Sequence, residues 1–395
     1  MTTLHIMLAS GENLPNLIPA IASLQDDAGF KADSALILTS KSMRPQAQTL
    51  KTALEYAKVR AVDIHAEDCP DHDLRQIRQW ARARAEEISA RRHDARRILN
   101  LTGGTKLMTI AFLEAFQPHG AETIYCDTEH SRIEYIDDSR DDPALPVNIL
   151  KLDTCLAAQG YRLRATAPDS AAIGARAALT RQLVAAAPRN EHIIQALNSA
   201  WYDYNERQNL YAHVDTGKLG KNEKNLIDEI RQSGLLDANE HFRDESAACY
   251  LGGGWLEEWC WLIGKELEEN VRGKRLKSDR WGIALRIDPF NAAIPTQSYS
   301  LNELDAVYVH RNRMLLIECK TGMQISEPDK SQAILNKLEA LGSQFGGRLN
   351  SKWLLSARPI KSRQTKERAR RYGIRLIEAN ELVDLKKRVM EWMTQ

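Results

Sequence analysis

Two carboxylates and a lysine lie close together in one short stretch of the chain. Asp305 precedes an apolar run, and Glu318 and Lys320 end a second apolar run at residues 314–317. The runs predict two strands joined by a polar turn, and such a hairpin brings Asp305 across from Glu318. Because residues two apart in a strand share a face, Glu318 and Lys320 point the same way. These oxygen ligands suit a hard divalent cation, Mg²⁺ or Mn²⁺, which can polarise a phosphate and activate a water.

An acid-x-Lys pair at a strand end can also be a solvated edge, but the apolar strand that leads into Glu318 favours a site. Asp305 followed by Glu318, Cys319 and Lys320 resembles the PD-(D/E)xK motif of restriction-endonuclease-like nucleases, over roughly the last third of the chain. The resemblance implies metal-dependent hydrolysis of phosphodiester bonds in DNA or RNA. In that interpretation, Asp305 and Glu318 bind the metal and Lys320 assists the reaction.

The elements around the predicted hairpin follow the order that this nuclease core requires. A helix with a broad apolar face is predicted over 255–269, strands over 283–287, 352–356 and 373–378, and helices over 327–344, 362–372 and 380–393, the last capped by Asn380. The family resemblance makes Glu257 on the first helix a candidate third metal ligand, although an exposed helical acid is the alternative. It also makes Lys337 a candidate accessory catalytic residue, with Gln332 in reserve.

The segment 348–375 is locally basic. Glu367 is the acidic residue interspersed among its cations, which are Lys352, Arg358, Lys361, Arg363, Lys366, Arg368, Arg370, Arg371 and Arg375. Such density predicts binding to a phosphate backbone without base readout. The alternative, a solvated helical face, applies to any single arginine in the segment.

The first 150 residues alternate short apolar runs with helical stretches, which predicts a parallel, Rossmann-like sheet covered by helices. Three loops follow predicted strands at the carboxyl edge, where open α/β sheets bind ligands. The residues with ligand-binding potential there are Ser10, Gly11 and Asn13 in one loop, Thr39 in the next, and Thr102, Gly103, Gly104, Thr105 and Lys106 in the third. The third loop opens a helix, and exposed N–H groups at a helix start favour a phosphate. A tight turn without a ligand is the plain alternative.

The Thr102–Lys106 loop, placed after the fourth predicted strand, resembles the ligand loop of CARF domains, the sensors of CRISPR-linked defence. The Ser10–Asn13 loop matches the other ligand-contacting position of that family. The resemblance implies binding of a cyclic oligoadenylate, with cyclic tetra-adenylate as the expected activator. A symmetric ligand is most economically bound by the same loop supplied twice, which predicts a homodimer.

The length, charge and cysteine content of the chain predict its domain organisation and its compartment. The 395 residues allow several domains, which we expect at 1–150, 151–245 and 246–395: a CARF-like sensor, a helical connector with winged-helix features, and a nuclease. With 54 basic and 53 acidic residues, attraction to nucleic acid must be local. Six scattered cysteines predict reduced thiols in a cytoplasmic protein, and we expect neither a signal peptide nor a membrane span.

Together the two ends of the chain resemble the ancillary nucleases of type III CRISPR systems. The resemblance implies a nuclease that stays silent until the ligand binds, with the connector relaying the signal. Two alternatives remain open from the residues: a ligand-sensing regulator that binds nucleic acid without cutting it, and a ring nuclease that degrades its own cyclic ligand.

Overall fold

The computed structural model describes residues 2–27, 29–137, 141–146, 148–164, 169–268, 276–290, 302–322, 325, 327–345 and 350–394. They divide into two compact units. The first comprises Met1–Leu163 with Asp288–Ser298 and His310–Arg313, and the second comprises Arg164–Ile287, Tyr299–Val309 and Met314–Gln395. None of the helices described here is both long and apolar enough to cross a membrane.

Strands and helices alternate through the first part of the chain, as the sequence predicts. In chain order the elements are β1 (Thr3–Leu8), α1 (Leu14–Ile21), β2 (Ser34–Leu38), α2 (Arg44–Tyr56), β3 (Ala61–Ile64), α3 (Leu74–Arg91), β4 (Arg96–Asn100), α4 (Lys106–Phe116), β5 (Glu122–Asp127), β6 (Arg132–Tyr135), α5 (Leu152–Ala158) and β7 (Tyr161–Arg164). A six-stranded sheet has the order β3-β2-β1-β4-β5-β6, parallel except for β6 against β5. The order reverses between β1 and β4, and ligands of open α/β sheets bind at such a reversal.

The first unit continues past the predicted boundary at residue 150. Helix α5 packs against α2, and the buried Asn13 side chain donates a hydrogen bond from Nδ2 to the Ala158 carbonyl at 2.9 Å. Every residue of β1 is buried, as expected for a parallel strand covered on both faces. The segment after residue 150 therefore completes the packing of the first unit.

The second unit begins with helices and ends with a sheet. Its elements are α6 (Ser170–Ala175), α7 (Ala177–Ala186), α8 (Glu191–Asn205), α9 (Lys221–Gln232), α10 (Glu245–Cys249), α11 (Trp255–Glu268), β8 (Trp281–Pro289), β9 (Asn302–His310), β10 (Arg313–Lys320), α12 (Pro328–Gln344), β11 (Asn350–Ser356), α13 (Arg363–Arg371), β12 (Ile374–Ile377) and α14 (Leu385–Trp392). Residue 269, the predicted end of α11, lies outside the described residues. Strands β12, β11, β10, β9 and β8 are neighbours in that order.

The predicted hairpin is present as β9 and β10. Arg311 and Asn312 at its tip have φ of 51° and 59°, the left-handed conformation that a two-residue type I′ hairpin turn requires. Strand β10 then pairs in parallel with β11, and β11 with β12. This pairing places β10 inside the sheet, so Glu318 emerges from a buried strand.

The helices of the predicted connector share one hydrophobic core with the sheet of the second unit. Leu183 and Leu197 belong to the same buried cluster as Trp255 and Leu315. A Cβ at Gly252 would lie 2.3 Å from Cγ of Trp201, so only glycine lets this indole pack against the backbone there. The connector helices are therefore built into the unit that carries the carboxylates.

The last predicted helix differs from the structure at its start. The segment Ala379–Asp384 is a 3₁₀ turn, and α14 follows it. The cap is Glu378 rather than Asn380, and the backbone N–H of Glu378 donates to Oε2 of Glu381 at 3.1 Å. The prediction of an Asn380 cap was wrong because this reciprocal glutamate pair already satisfies the first turn.

Candidate active site and ligand-binding loops

The hairpin brings Asp305, Glu318 and Lys320 together. The Lys320 ammonium lies 2.7 Å from Oε1 of Glu318 and 3.5 Å from Oδ2 of Asp305. The same ammonium donates to the carbonyl oxygen of Cys319 at 3.0 Å. Asp305 is held in place because its Oδ2 also accepts the backbone N–H of Cys319 at 2.7 Å. Three oxygens of one hairpin thus surround a single positive charge.

Burial and the closeness of the carboxylates shift the pKa values of the groups around Lys320. Burial, together with the charge of nearby Glu318, raises the pKa of Asp305. Burial, and then the charges of Asp305 and Glu303, raises the pKa of Glu257 to about 8. The surrounding carboxylates outweigh the burial of Lys320 and raise the pKa of its ammonium. A bound cation would relieve this repulsion.

The oxygens of Asp305 and Glu318 and the Cys319 carbonyl are a hard donor set of the kind that Mg²⁺ and Mn²⁺ accept. Within the described ranges, no group of three or more His, Cys, Asp or Glu side chains is arranged to hold a metal ion. Glu257 lines the cavity together with Lys320, and its carboxyl interacts electrostatically with Asp305 and Glu318. Its role as a third metal ligand stays a prediction.

Lys337 on α12 also reaches the site. Its Nζ lies 3.4 Å from Oε1 of Glu318, and its side chain is 46% exposed. Glu318 thus faces two ammonium groups, one on its own strand and one on the following helix. Gln332, the reserve candidate, is exposed on the same helix.

A cavity of about 520 Å³ opens beside Lys320 and Glu257. Its lining includes Arg176, which the sequence analysis did not single out. Arg176 donates from Nε to both carboxylate oxygens of Glu258 at 2.9 Å, and from Nη2 to Oε1. Glu258 is 6% exposed. Its position in the apolar stripe of α11, between Trp255 and Leu262, was a sequence signal that it is buried.

The loops of the first unit meet at the reversal of strand order. Gly103 lies against β1, where a Cβ would come within 2.0 Å of the Leu8 carbonyl oxygen. Thr105 caps α4 by accepting the N–H of Met108 at 3.2 Å, and Lys106 is exposed at the first position of that helix. The loops after β1 and β4 are therefore neighbours.

The structure places the predicted ligand-binding residues at different depths. Ser10 is half-buried and its Oγ donates to the Glu12 carbonyl at 2.8 Å. Gly11 is exposed, as are Gly104, Thr105 and Lys106. Thr102 is half-buried, and its Oγ1 donates a hydrogen bond to Oδ1 of Asn100 at 2.6 Å. Asn13 and Thr39 are buried, and their side chains donate to backbone carbonyls. These bonds help to fix the two loops, and a contact of either side chain with a ligand stays a prediction.

The basic segment is less available than its sequence suggests. Ion pairs join Lys352 to Glu339, Arg358 to Glu191, Arg363 to Glu367 and Lys366 to Glu378. Arg358 is also buried. The acidic partners come mostly from outside the segment, which is why counting charges along the sequence overstated its free positive charge. Arg348 lies outside the described residues.

Two families of known domains match separate segments of the chain. The Card1 CARF domain family matches residues 4–143, and the Card1-like endonuclease domain family matches residues 244–395. No curated protein shows significant sequence similarity to the chain.

Solved structures share the fold along the whole chain. Can2 from Sulfobacillus thermosulfidooxidans, solved in complex with cyclic tetra-adenylate, has 18% identity and a TM-score of 0.75, with 99% of each chain covered. Protein VC1899 from Vibrio cholerae has 18% identity and a TM-score of 0.81, with 99% of this chain and 98% of that chain covered.

A third solved structure, of a longer protein, matches this chain over less than half of its own length. It is a type III CRISPR defence DNA nuclease activated by cyclic oligoadenylate, with 18% identity, a TM-score of 0.51 and coverage of 90% of this chain and 45% of the other. At this identity the likeness shows the fold, while the domain families carry the assignment. The chain therefore carries a segment that matches the Card1 CARF domain family, followed by a segment that matches the Card1-like endonuclease domain family.

Proposed function

We propose that this protein is a cytoplasmic, metal-dependent nuclease of type III CRISPR defence that cyclic tetra-adenylate activates and that hydrolyses phosphodiester bonds in DNA, RNA or both. The observation that carries the proposal is the convergence of Asp305, Glu318 and the Cys319 carbonyl on the Lys320 ammonium. The same chain carries a CARF domain, and the similar Can2 fold was solved with cyclic tetra-adenylate bound.

The residues that would hold Mg²⁺ or Mn²⁺ are Asp305, Glu318 and the carbonyl of Cys319, with Glu257 as the third predicted carboxyl ligand beside them. A bound divalent cation supplies Lewis-acid polarisation of a phosphate and lowers the pKa of a bound water. The raised pKa values of Asp305 and Glu257 support this assignment, because they result from burial and then from the proximity of the other carboxylates, and a bound cation would offset both effects.

The chain's own cations act on the phosphate. Lys320 lies between both carboxylates and is held there by them, so its ammonium is positioned to orient the nucleophile and to offset charge that develops on the phosphate oxygens. Lys337 contacts the outer side of Glu318 through a half-exposed side chain. We assign it an accessory role, in which it holds Glu318 or contacts the substrate phosphate.

The sensor would use the exposed backbone of the loops after β1 and β4. The first turn of α4 directs N–H groups and Lys106 outward, which suits a ligand phosphate. Leu107 and Ile110 on the same helix are 38% and 46% exposed, and they lie on one face because they are three residues apart. This apolar face beside the loops supports a homodimer in which both copies contribute to one symmetric ligand.

Substitution at Glu318 tests the proposed chemistry. Glu318→Gln is expected to lower cleavage by at least about a hundredfold, the usual scale for losing a group that stabilises the transition state. The matched control is Glu327→Gln, which removes an exposed acid paired with Lys330 at 2.9 Å, and it should leave cleavage unchanged. Full activity in Glu318→Gln would refute the mechanism.

A further inference from the structure

Arg176 belongs to neither of the two matched domain segments, which end at residue 143 and resume at residue 244. It nevertheless lines the cavity that Lys320 and Glu257 also line. Of the residues around this cavity, Arg176 and Lys320 carry the positive charges, while Asp169, Glu257 and Glu258 carry the negative ones. The connector thus contributes a cation to the wall of the candidate active site.

The guanidinium of Arg176 is held rigidly with one edge directed away from its partner. Its Nε and Nη2 bond to Glu258, and the group stacks on the Tyr250 ring at 4.6 Å from the ring centre. Nη1 makes no hydrogen bond to any other residue that the structure describes. The Arg176 side chain is 21% exposed and lines the cavity, so a solute in the cavity can contact it.

We propose that Arg176 binds a phosphate of the nucleic-acid substrate, with Glu258 and Tyr250 as the residues that orient it. This inference rests on the proposed nuclease function and extends it. Arginine suits the task because its planar group can bond a carboxylate along one edge and a phosphate along another. The cavity volume of about 520 Å³ lies within the usual range for small-ligand sites, and Arg176 and Lys320 both line it.

The alternative is that Arg176 serves only to neutralise Glu258. Burial raises the pKa of Glu258 even beside this arginine, so the pair has a structural role in any case. A purely structural arginine predicts loss of stability on substitution and no change in the salt dependence of nucleic-acid binding. A phosphate ligand predicts a change in that salt dependence, because each phosphate contact releases counterions.

The experiment measures binding of short labelled DNA and RNA strands to the full chain in the presence of cyclic tetra-adenylate, over about 50 to 200 mM salt. All proteins carry Glu318→Gln so that bound strands stay intact. Adding Arg176→Gln should weaken binding and reduce the slope of log affinity against log salt by about 1. Arg181→Gln is the matched control, since Arg181 on α7 pairs with Glu266 on α11, the helix of Glu258, at 3.0 Å and does not line the cavity.

Folding is controlled by a second variant that combines Arg176→Gln with Glu258→Gln and so replaces the ion pair by two amides. It should show the same reduced salt slope, and thermal unfolding establishes that it is folded. An unchanged slope in a folded Arg176 variant overturns the inference and leaves the nuclease proposal standing. Failure of the parent protein to bind either strand overturns both.

Discussion

Replacing Glu257 by glutamine is expected to stabilise the metal-free protein at neutral pH. The pKa of this buried carboxyl is raised from 4.5 to about 8, so the native state binds its proton more tightly than the unfolded chain does. Native stability therefore falls as the pH rises from about 4.5 to about 8. Glutamine removes this loss because it carries no charge at any pH.

The magnitude follows from the pKa difference. From about pH 4.5 to about pH 7.5 the loss of native stability amounts to about 4 kcal/mol, at roughly 1.4 kcal/mol per pH unit. Glu257 retains partial solvent contact, and screening reduces the expected gain to about 2 kcal/mol. At about pH 4.5 both proteins carry a neutral side chain in the native state, so the difference should vanish.

Urea unfolding in EDTA, followed by tryptophan fluorescence at both pH values, measures the difference. Every tryptophan except Trp80 lies in the second unit, so the signal reports mainly on that unit. The neighbouring Glu258→Gln is the control with opposite sign, because it leaves Arg176 without its partner, and we expect it to destabilise by about 2 kcal/mol. Parallel pH profiles for wild type and Glu257→Gln would refute the electrostatic reasoning.

Three further outcomes are expected. Burial lowers the pKa of His5 to about 4, so the unfolded chain binds this proton more tightly than the native state does. Acidification from about pH 6.5 to 4 should therefore destabilise the first unit by about 3 kcal/mol. The unfolding free energy of His5→Phe should depend less on pH over this range. Gly103→Ala should lower cyclic tetra-adenylate affinity by calorimetry, since its Cβ would meet a carbonyl at 2.0 Å, whereas Gly174→Ala in α6, outside the ligand loops and with nothing within 4 Å, should bind normally. Ala284→Gly should raise stability to urea by about 1 kcal/mol, because Ala284 has φ of 48°.

The sequence predicted the parts of the site that depend on local pattern. Two apolar runs around a polar turn specify a hairpin, and a hairpin sets the register that brings Asp305 near Lys320. Glycines after a predicted strand likewise located the loop that ends at Lys106. Lys337 came from the family resemblance rather than from a local pattern, and the structure places its ammonium 3.4 Å from Glu318.

Features that depend on tertiary packing were not predictable in this way. The pairing of Arg176 with Glu258 joins residues far apart in the chain, and no local period indicates it. Cations of the basic segment form ion pairs with acids on other helices, such as Glu191 and Glu339. A count of charges along the sequence does not show these pairs. The connector appeared separate in sequence, yet its helices share one core with the strands that carry Asp305 and Glu318.

The most direct test of the account is a cleavage assay on single-stranded and supercoiled DNA and on RNA, with and without Mn²⁺ or Mg²⁺ and with and without cyclic tetra-adenylate. The account predicts cutting only when metal and ligand are both present. Cutting with metal alone would contradict activation through the CARF domain, and no cutting under any condition would contradict the nuclease mechanism itself.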